Sequence, residues 1–294
     1  METTVKQAIE GKRVLVIGIG GGCDVISAYA LCEHFKKNYG PSTICYGNTI
    51  SPRDLSGTEK ITDYIYKFSE ATEIITIAPK QNTYHTIVIE QSLPRDTHGS
   101  PFLFVLPSEG GESIESVTQK NKDLLGNTIK TFSGQWDTII GVDGGGDSLT
   151  GGIDFKKHPA FGRDRQMLTV LSSLGVNFFH MIIGPCCDGE STHFQMNDFV
   201  TRAGEYHLGS FQVNETMATV MQDLSKTMAV TRTTNLISAA FFGDLDELQD
   251  NRGNVQINRG IKPWIPLKWL TDILVFQWPH AMDPCLLFED DLPE

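Results

Sequence analysis

Residues 14–28, Val-Leu-Val-Ile-Gly-Ile-Gly-Gly-Gly-Cys-Asp-Val-Ile-Ser-Ala, join a short apolar run to four glycines and then to a second apolar run. The first run reads as a buried strand, the glycines as a tight loop, and the residues after Asp24 as the start of a helix. That order belongs to an α/β protein, in which a strand delivers a helix N-terminus to the edge of a sheet. The helix end carries about half a positive charge and amides without intrahelical partners, so it suits an anion. Glycine lets the backbone approach a ligand without a Cβ in the way. Gly18, Gly20, Gly21 and Gly22, with Asp24, are therefore candidate binding residues for a phosphorylated small molecule.

The rest of the chain repeats the alternation. Helical spacing continues over 24–37, a short strand is expected at 42–46, and Ser56 with Glu59 occupy capping-box positions for a helix over 56–70. Residues 72–107 carry short β-rich runs (73–77, 86–89, 102–106) between polar turns, which predicts a β-rich excursion. A long helix is expected over 112–131, a strand over 137–143, a helix at about 164–175 and a strand over 178–183. Helical patterns resume across 195–242 with a break near Gly209, and the last strand spans 273–278, ahead of an acidic tail at about 279–294. Alternating strands and helices predict a Rossmann-like α/β fold, with a mostly parallel sheet and helices on both faces. With no linker and no internal repeat, residues 1–294 read as one domain.

Composition narrows the partners. A formal charge of −12 argues against nucleic acid and anionic membranes, and no apolar stretch of about 18 residues is present. The start of the chain shows no apolar signal core. Six scattered cysteines lack the spacing of a zinc site or a disulfide framework, so a reduced, cytoplasmic protein is expected, as a monomer or a homo-oligomer.

Three of the expected strands end in glycine loops that carry acids: Asp24 in the first, Asp143 and Asp147 flanking Gly144, Gly145 and Gly146 in the second, Asp188 and Glu190 in the third. In an open parallel sheet, ligands sit beyond the carboxyl ends of the strands, so loops distant in sequence can meet there. Glycine-rich backbone suits phosphate and carboxylates suit Mg2+, which takes one or two carboxylates together with water and phosphate oxygens. Asp143, Asp147, Asp188 and Glu190 are the candidate metal ligands; Asp143, Asp147 and Asp188, with Arg165, are the candidate catalytic groups. Arg163-Asp164-Arg165 offers either an arginine clamp for an anion or a local salt bridge. Cys186 and Cys187 read as buried thiols, with His193 the nearest base in sequence, and His180 reads as a core histidine. Trp264, Trp269 and Trp278, with Phe276, are expected to pack the C-terminal region.

Gly18-x-Gly20-x-x-Cys23 nearly matches the dinucleotide fingerprint, but the second strand, read to end Cys45-Tyr-Gly-Asn48, lacks the acid that holds a ribose. NAD(P)-dependent oxidation is thus the alternative to Mg2+-assisted group transfer or hydrolysis on a nucleotide or phosphorylated metabolite. A non-catalytic small-anion or nucleotide-binding protein is the other alternative.

Together, Gly20–Val25, Gly141–Asp147, the following Arg-Asp-Arg, and Gly184–Glu190 resemble the family called domain of unknown function 1152, found largely in prokaryotes. Its members show a glycine-aspartate loop after the first strand, then Gly-Val-Asp-x-Gly-Gly-Asp and Gly-Pro-Gly-x-Asp-Gly-Glu segments. Cys186 stands where that last pattern has glycine. The resemblance covers roughly residues 12–240 and implies a Rossmann-like fold with the three loops as its site; it carries over no catalytic residue. The second loop also has a looser likeness to the Gly-Gly-Asp-Gly loops of phosphofructokinase-type and NAD-kinase-type enzymes, an analogy between sites.

Overall fold

The apolar run at the start of the first motif forms strand β1, Arg13–Gly18, in which every residue after Arg13 is buried. It lies at the centre of the computed structural model, which describes residues 2–78, 81, 83, 86–108, 113–150, 162–227, 233–245, 253–257, 264–280 and 282–284. An N-terminal helix α1 (Glu2–Ile9) precedes β1, and α2 (Asp24–Asn38) follows it. The chain continues through β2 (Thr43–Ile50), β3 (Thr58–Thr62), β4 (Ile65–Phe68), the single-turn α3 (Val88–Gln91) and β5 (Phe102–Val105). Helices α4 (Ile114–Asn121) and α5 (Asn127–Ser133) are joined by a π-helical turn at Lys122–Gly126, so the expected long helix is present with one widened turn.

Strand β6 (Thr138–Gly144) leads to the short α6 (Asp147–Thr150), then α7 (Arg163–Ser172) and β7 (Asn177–Ile183). After α8 (His193–Ala203) come β8 (His207–Gln212), α9 (Glu215–Thr227), α10 (Thr233–Phe242), β9 (Asn254–Gln256), β10 (Trp264–Pro266) and β11 (Asp272–Phe276).

Nine strands form one sheet in the order β3-β4-β5-β2-β1-β6-β7-β11-β8. The inner strands β5, β2, β1, β6 and β7 are parallel, while β4 and β11 pair with them antiparallel. From β1 the chain crosses one way to β2, and from β6 it crosses the other way to β7. Right-handed crossovers therefore place α2 and α7 on opposite faces, and β1 and β6 flank the switch point where α/β sheets bind ligands. Leu15, Ile17, Ile140, Val142 and Ile182 are fully buried, as doubly covered parallel strands require.

Three expectations are corrected. Residues 56–70 form no helix but the hairpin β3–β4, with Thr58 opposite Phe68 and Lys60 opposite Tyr66. Thr, Ile, Tyr and Phe favour the pleated surface, and Ser56 bonds Asp54 (2.6 Å) rather than closing a capping box. Within 195–242, residues 207–212 form a strand, because β11 offers its free edge to them. Of the short runs foreseen in 72–107, only Phe102–Val105 is a strand; residues 73–77 carry none, and Val88–Gln91 is helical. The tail beyond 284 lies outside the described residues. Among the described residues, no helix is long and apolar enough to cross a membrane.

Candidate active site

The three glycine loops meet at the carboxyl ends of β1, β6 and β7. Asp24, in the first turn of α2, is nearly buried, and its two oxygens accept the amides of Gly20 (2.7 Å) and Gly144 (3.2 Å). One carboxylate thus ties the first loop to the second. Asp143 is 1% exposed at the end of β6 and accepts the Ser148 amide at 3.1 Å and the Ser148 hydroxyl. Asp164, in the first turn of α7, completes a trio: carboxylate oxygens of Asp24, Asp143 and Asp164 lie within 4.8 Å of one another.

The electrostatics of this trio are unfavourable without a counter-charge. Burial raises the pKa of Asp24 well above the usual carboxylate range, and the charges of Asp143 and Asp164 raise it further. Asp164 is pushed up to about 7 by burial and by Asp143, against the opposing effect of Arg163. Asp147 and Asp188 are raised by burial and by the other acids, Glu190 among them. Burial also raises the pKa of Asp143, against the hydrogen bonds from Ser148 and Asp147. All five predicted acids therefore belong to one electrostatic group. Asp164, which sequence reasoning treated as a salt-bridge partner of its arginine neighbours, stands at its centre.

The glycines make room for these acids rather than for open space. A Cβ on Gly20 would lie 1.7 Å from Asp164 Oδ1, and one on Gly145 would lie 2.1 Å from Asp188 Oδ2. One on Gly18 would lie 2.5 Å from Asn48 Oδ1, and one on Gly146 would meet the Met196 methyl at 2.2 Å. Gly144 faces Asp24 at 3.2 Å. In the first loop, the amides of Gly21 and Gly22, just ahead of α2, have no acceptor among the described residues. Of residues 18–22, the amides left without an acceptor are thus those of Gly21 and Gly22.

The third loop is tied to the second by backbone. Cys186 adopts φ +69°, the left-handed conformation of the glycine expected there, and donates its amide to Gly145 O at 2.6 Å. Both Cys186 and Cys187 are buried, and burial raises the Cys186 thiol. His193 is turned to the Trp264 carbonyl (2.9 Å). Among the described residues, burial and His193's engagement elsewhere leave Cys186 without an activating base. Asp188 accepts the Glu190 amide through Oδ1 (2.9 Å), while its buried Oδ2 has no hydrogen-bond partner.

Of the two arginines, Arg163 reaches the first loop, donating to Gly20 O (2.9 Å) and to Ser51 Oγ (2.8 Å). Arg165 is buried and pairs with Asp283 at 3.8 Å, linking α7 to the C-terminal segment. Trp278 Nε1, which can only donate, bonds His180 Nδ1 (3.3 Å), so Nε2 carries the ring proton and donates to Ser148 Oγ (3.1 Å). The serine hydroxyl then donates to Asp143. Burial holds the His180 pKa down to about 3, so the imidazole is neutral. Serine stands between histidine and aspartate, the reverse of a hydrolytic triad; the chain orients Asp143.

Trp278 is buried and stacked on Phe276, whereas Trp264 is 41% exposed on the separate β9–β10 ribbon. None of the five described cysteines forms a disulfide, and Cys285 lies outside the described residues.

No curated protein matches the chain. The model of one family, described as Protein of unknown function (DUF1152), matches residues 15–265, a span that contains all three acidic loops, β2 and α7. The chain belongs to the DUF1152 family.

Proposed function

We propose that the chain is an enzyme that holds a phosphorylated small molecule together with Mg2+ at the joined ends of β1 and β6, and carries out group transfer or hydrolysis on it. The observation that carries this reading is the trio Asp24, Asp143 and Asp164, drawn from three separate segments with oxygens within 4.8 Å of one another. Buried acids this close must be neutralised by protons or by a cation, and a hard divalent ion takes carboxylate oxygens. Asp143, held by Ser148 and the neutral His180, is the oriented ligand of the set. Asp24 and Asp164 complete it.

The Gly21 and Gly22 amides at the N-terminus of α2 supply donors for phosphate beside the acids. Asp147, Asp188 and Glu190 border the trio and are placed to take a proton from an attacking hydroxyl or water. Arg163, fixed on Gly20, brings a positive charge to the transferred group. Carboxylates crowding Gly20 repel a bare pyrophosphate, which favours this reading over nicotinamide binding.

Thermal unfolding with Mg2+ or Mn2+ tests it. A ligand at 100 times its Kd stabilises the folded state by about 2.7 kcal/mol, so saturating cation raises the Tm of the wild type by several degrees. Asp143→Asn, shown folded by circular dichroism, is expected to lose that response and turnover of phosphorylated substrates. A wild type indifferent to divalent cations, or a variant that responds as the wild type does, overturns the proposal.

A further inference from the structure

On the other side of the first glycine loop, at the end of β2, lies a second polar pair with unmet hydrogen-bonding capacity. Asn48 is opposite Gly18 in the β1–β2 register and fully buried. Its amide nitrogen donates to Glu90 Oε1 at 2.7 Å, and Glu90, on α3, is 1% exposed. Each of these side chains keeps one buried oxygen, Asn48 Oδ1 and Glu90 Oε2, with no hydrogen-bond partner. Buried acceptors left unmet cost free energy, so such a pair calls for a donor from outside the chain.

The charges around the pair decide which donor. Burial raises the pKa of Glu90, opposed by the bond from Asn48 and by the charges of Arg53 and Arg163. Arg53 is anchored to Ser51 O (3.1 Å) and Thr86 O (2.6 Å), and Arg163 to Gly20 O and Ser51 Oγ. Two guanidinium charges acting on one buried carboxyl group disfavour an ammonium or a metal ion as the occupant. Neutral hydroxyl groups, donating to a carboxamide oxygen and a carboxylate oxygen, meet no such repulsion. The pair also stands one strand away from the acidic trio, joined to it by Gly18, where a Cβ would meet both Asn48 Oδ1 (2.5 Å) and the Asp24 Cβ (2.8 Å).

We infer that Asn48 and Glu90 form a hydroxyl-binding subsite, which takes the sugar hydroxyls of the phosphorylated ligand whose phosphate lies at Gly21, Gly22 and the acidic trio. This assignment rests on the proposed function for the position of the phosphate, and it supplies a carboxylate that β2 itself lacks. The sugar can be the ribose of a nucleotide or that of a free sugar phosphate.

Calorimetric titrations of the full chain in Mg2+ separate these terms. The probes are inorganic diphosphate, ribose 5-phosphate, ADP and 2′,3′-dideoxy-ADP, against the wild type and Glu90→Gln. In the variant the free acceptor becomes an amide donor of the same shape. Loss of a hydrogen bond to a charged group weakens binding about tenfold to a hundredfold. ADP is therefore expected to bind the wild type that much more tightly than its dideoxy analogue, and Glu90→Gln to remove the difference while leaving diphosphate affinity unchanged. Tight ribose 5-phosphate binding that depends on Glu90, without preference for ADP, assigns the subsite to a sugar phosphate. Equal affinity for ADP and its dideoxy analogue, with ribose 5-phosphate indifferent to Glu90→Gln, means that the pair holds a resident water only and overturns the inference. So does failure of both hydroxylated ligands to bind. Failure of diphosphate alone, with a hydroxyl preference that still depends on Glu90, removes the phosphate and metal reading and leaves the subsite standing. The wild-type comparison of ADP with its analogue needs no folded variant.

Discussion

The first glycine loop has two flanks with opposite electrostatic conditions. On the β6 side, Asp24, Asp143 and Asp164 crowd together; Asp143 and Asp164 raise the affinity of Asp24 for protons, and Asp143 raises that of Asp164. On the β2 side, the single carboxylate of Glu90 is bonded to Asn48 and faced by two arginines. Both flanks are buried, yet on one the clustered acids outweigh the opposing charge of Arg163, and on the other two acceptor oxygens, Asn48 Oδ1 and Glu90 Oε2, have no hydrogen-bond partner. The same loop thus separates a place suited to a cation from a place suited to neutral hydroxyls. Counting acids in the sequence does not distinguish the two; their partners do.

Gly18 is the position that disturbs both flanks. Gly18→Ala puts a methyl 2.5 Å from Asn48 Oδ1 and 2.7 Å from the Asp24 carbonyl carbon, and backbone cannot swing away. Overpacking of this kind costs about 1–3 kcal/mol, and chemical denaturation is expected to show a loss at the upper end of that range. Gly20→Ala divides the flanks instead. Its methyl meets only the ends of the Asp164 and Asp24 side chains, which can turn away. A small stability change with at least a tenfold weaker Mg2+ response, and ADP discrimination intact, would confirm that the flanks are separate. Equal damage to both functions would merge them.

The pH dependence of the metal-free protein is a finer probe of the acidic flank. Asp164 has a pKa of about 7 in the folded chain against 3.8 as its ordinary value, and Asp24 is raised as well. The folded state then binds more protons than the unfolded state between those values. Stability contributed by the protonated acids is present at low pH and declines as pH rises from about 4 through 7. Tm without metal is expected to fall over that window, and Mg2+ to restore more at pH 8 than at pH 5. A flat profile would show the acids to be further apart in solution. The smallest effect belongs to Ser148→Ala, which removes the hydroxyl between Asp143 and His180. A cost of about 1–2 kcal/mol by denaturant titration is expected, with the Asn48–Glu90 flank untouched.

Strands β1, β6 and β7, and the helices that follow β1 and lead into β7, were legible because strands covered on both faces are written as unbroken apolar runs. The hairpin at 58–68 was not, since its alternation is interrupted by Lys, Asp and a tight turn, and Ser56 with Glu59 mimic a helix start. Residues 207–212 took their conformation from a partner strand 60 residues further on, which no local pattern encodes. The same reasoning applies to the site. Acids beside glycines announced themselves, but Asp164 lay hidden between two arginines, and Glu90 lay in a stretch without clear periodicity. Both reach the site through topology: residue 164 stands against residues 20 and 24, and residue 90 against residue 48.

Strand β11 has a consequence for the order in which the chain assembles. It lies between β7 and β8, and β8, at the edge of the sheet, pairs with β11 through Asp272 opposite Gln212 and Leu274 opposite Ser210. Until residues 272–276 arrive, β7 has an open side and 207–212 has no strand to join. Contacts so distant in sequence close slowly, because a long loop must be ordered before they form. The parallel centre is thus expected to collapse first on the ribosome, and β8 to dock last. Trp278, two residues beyond β11, brings its indole to His180 in that same event, so Asp143 acquires its final orientation only as the sheet is completed.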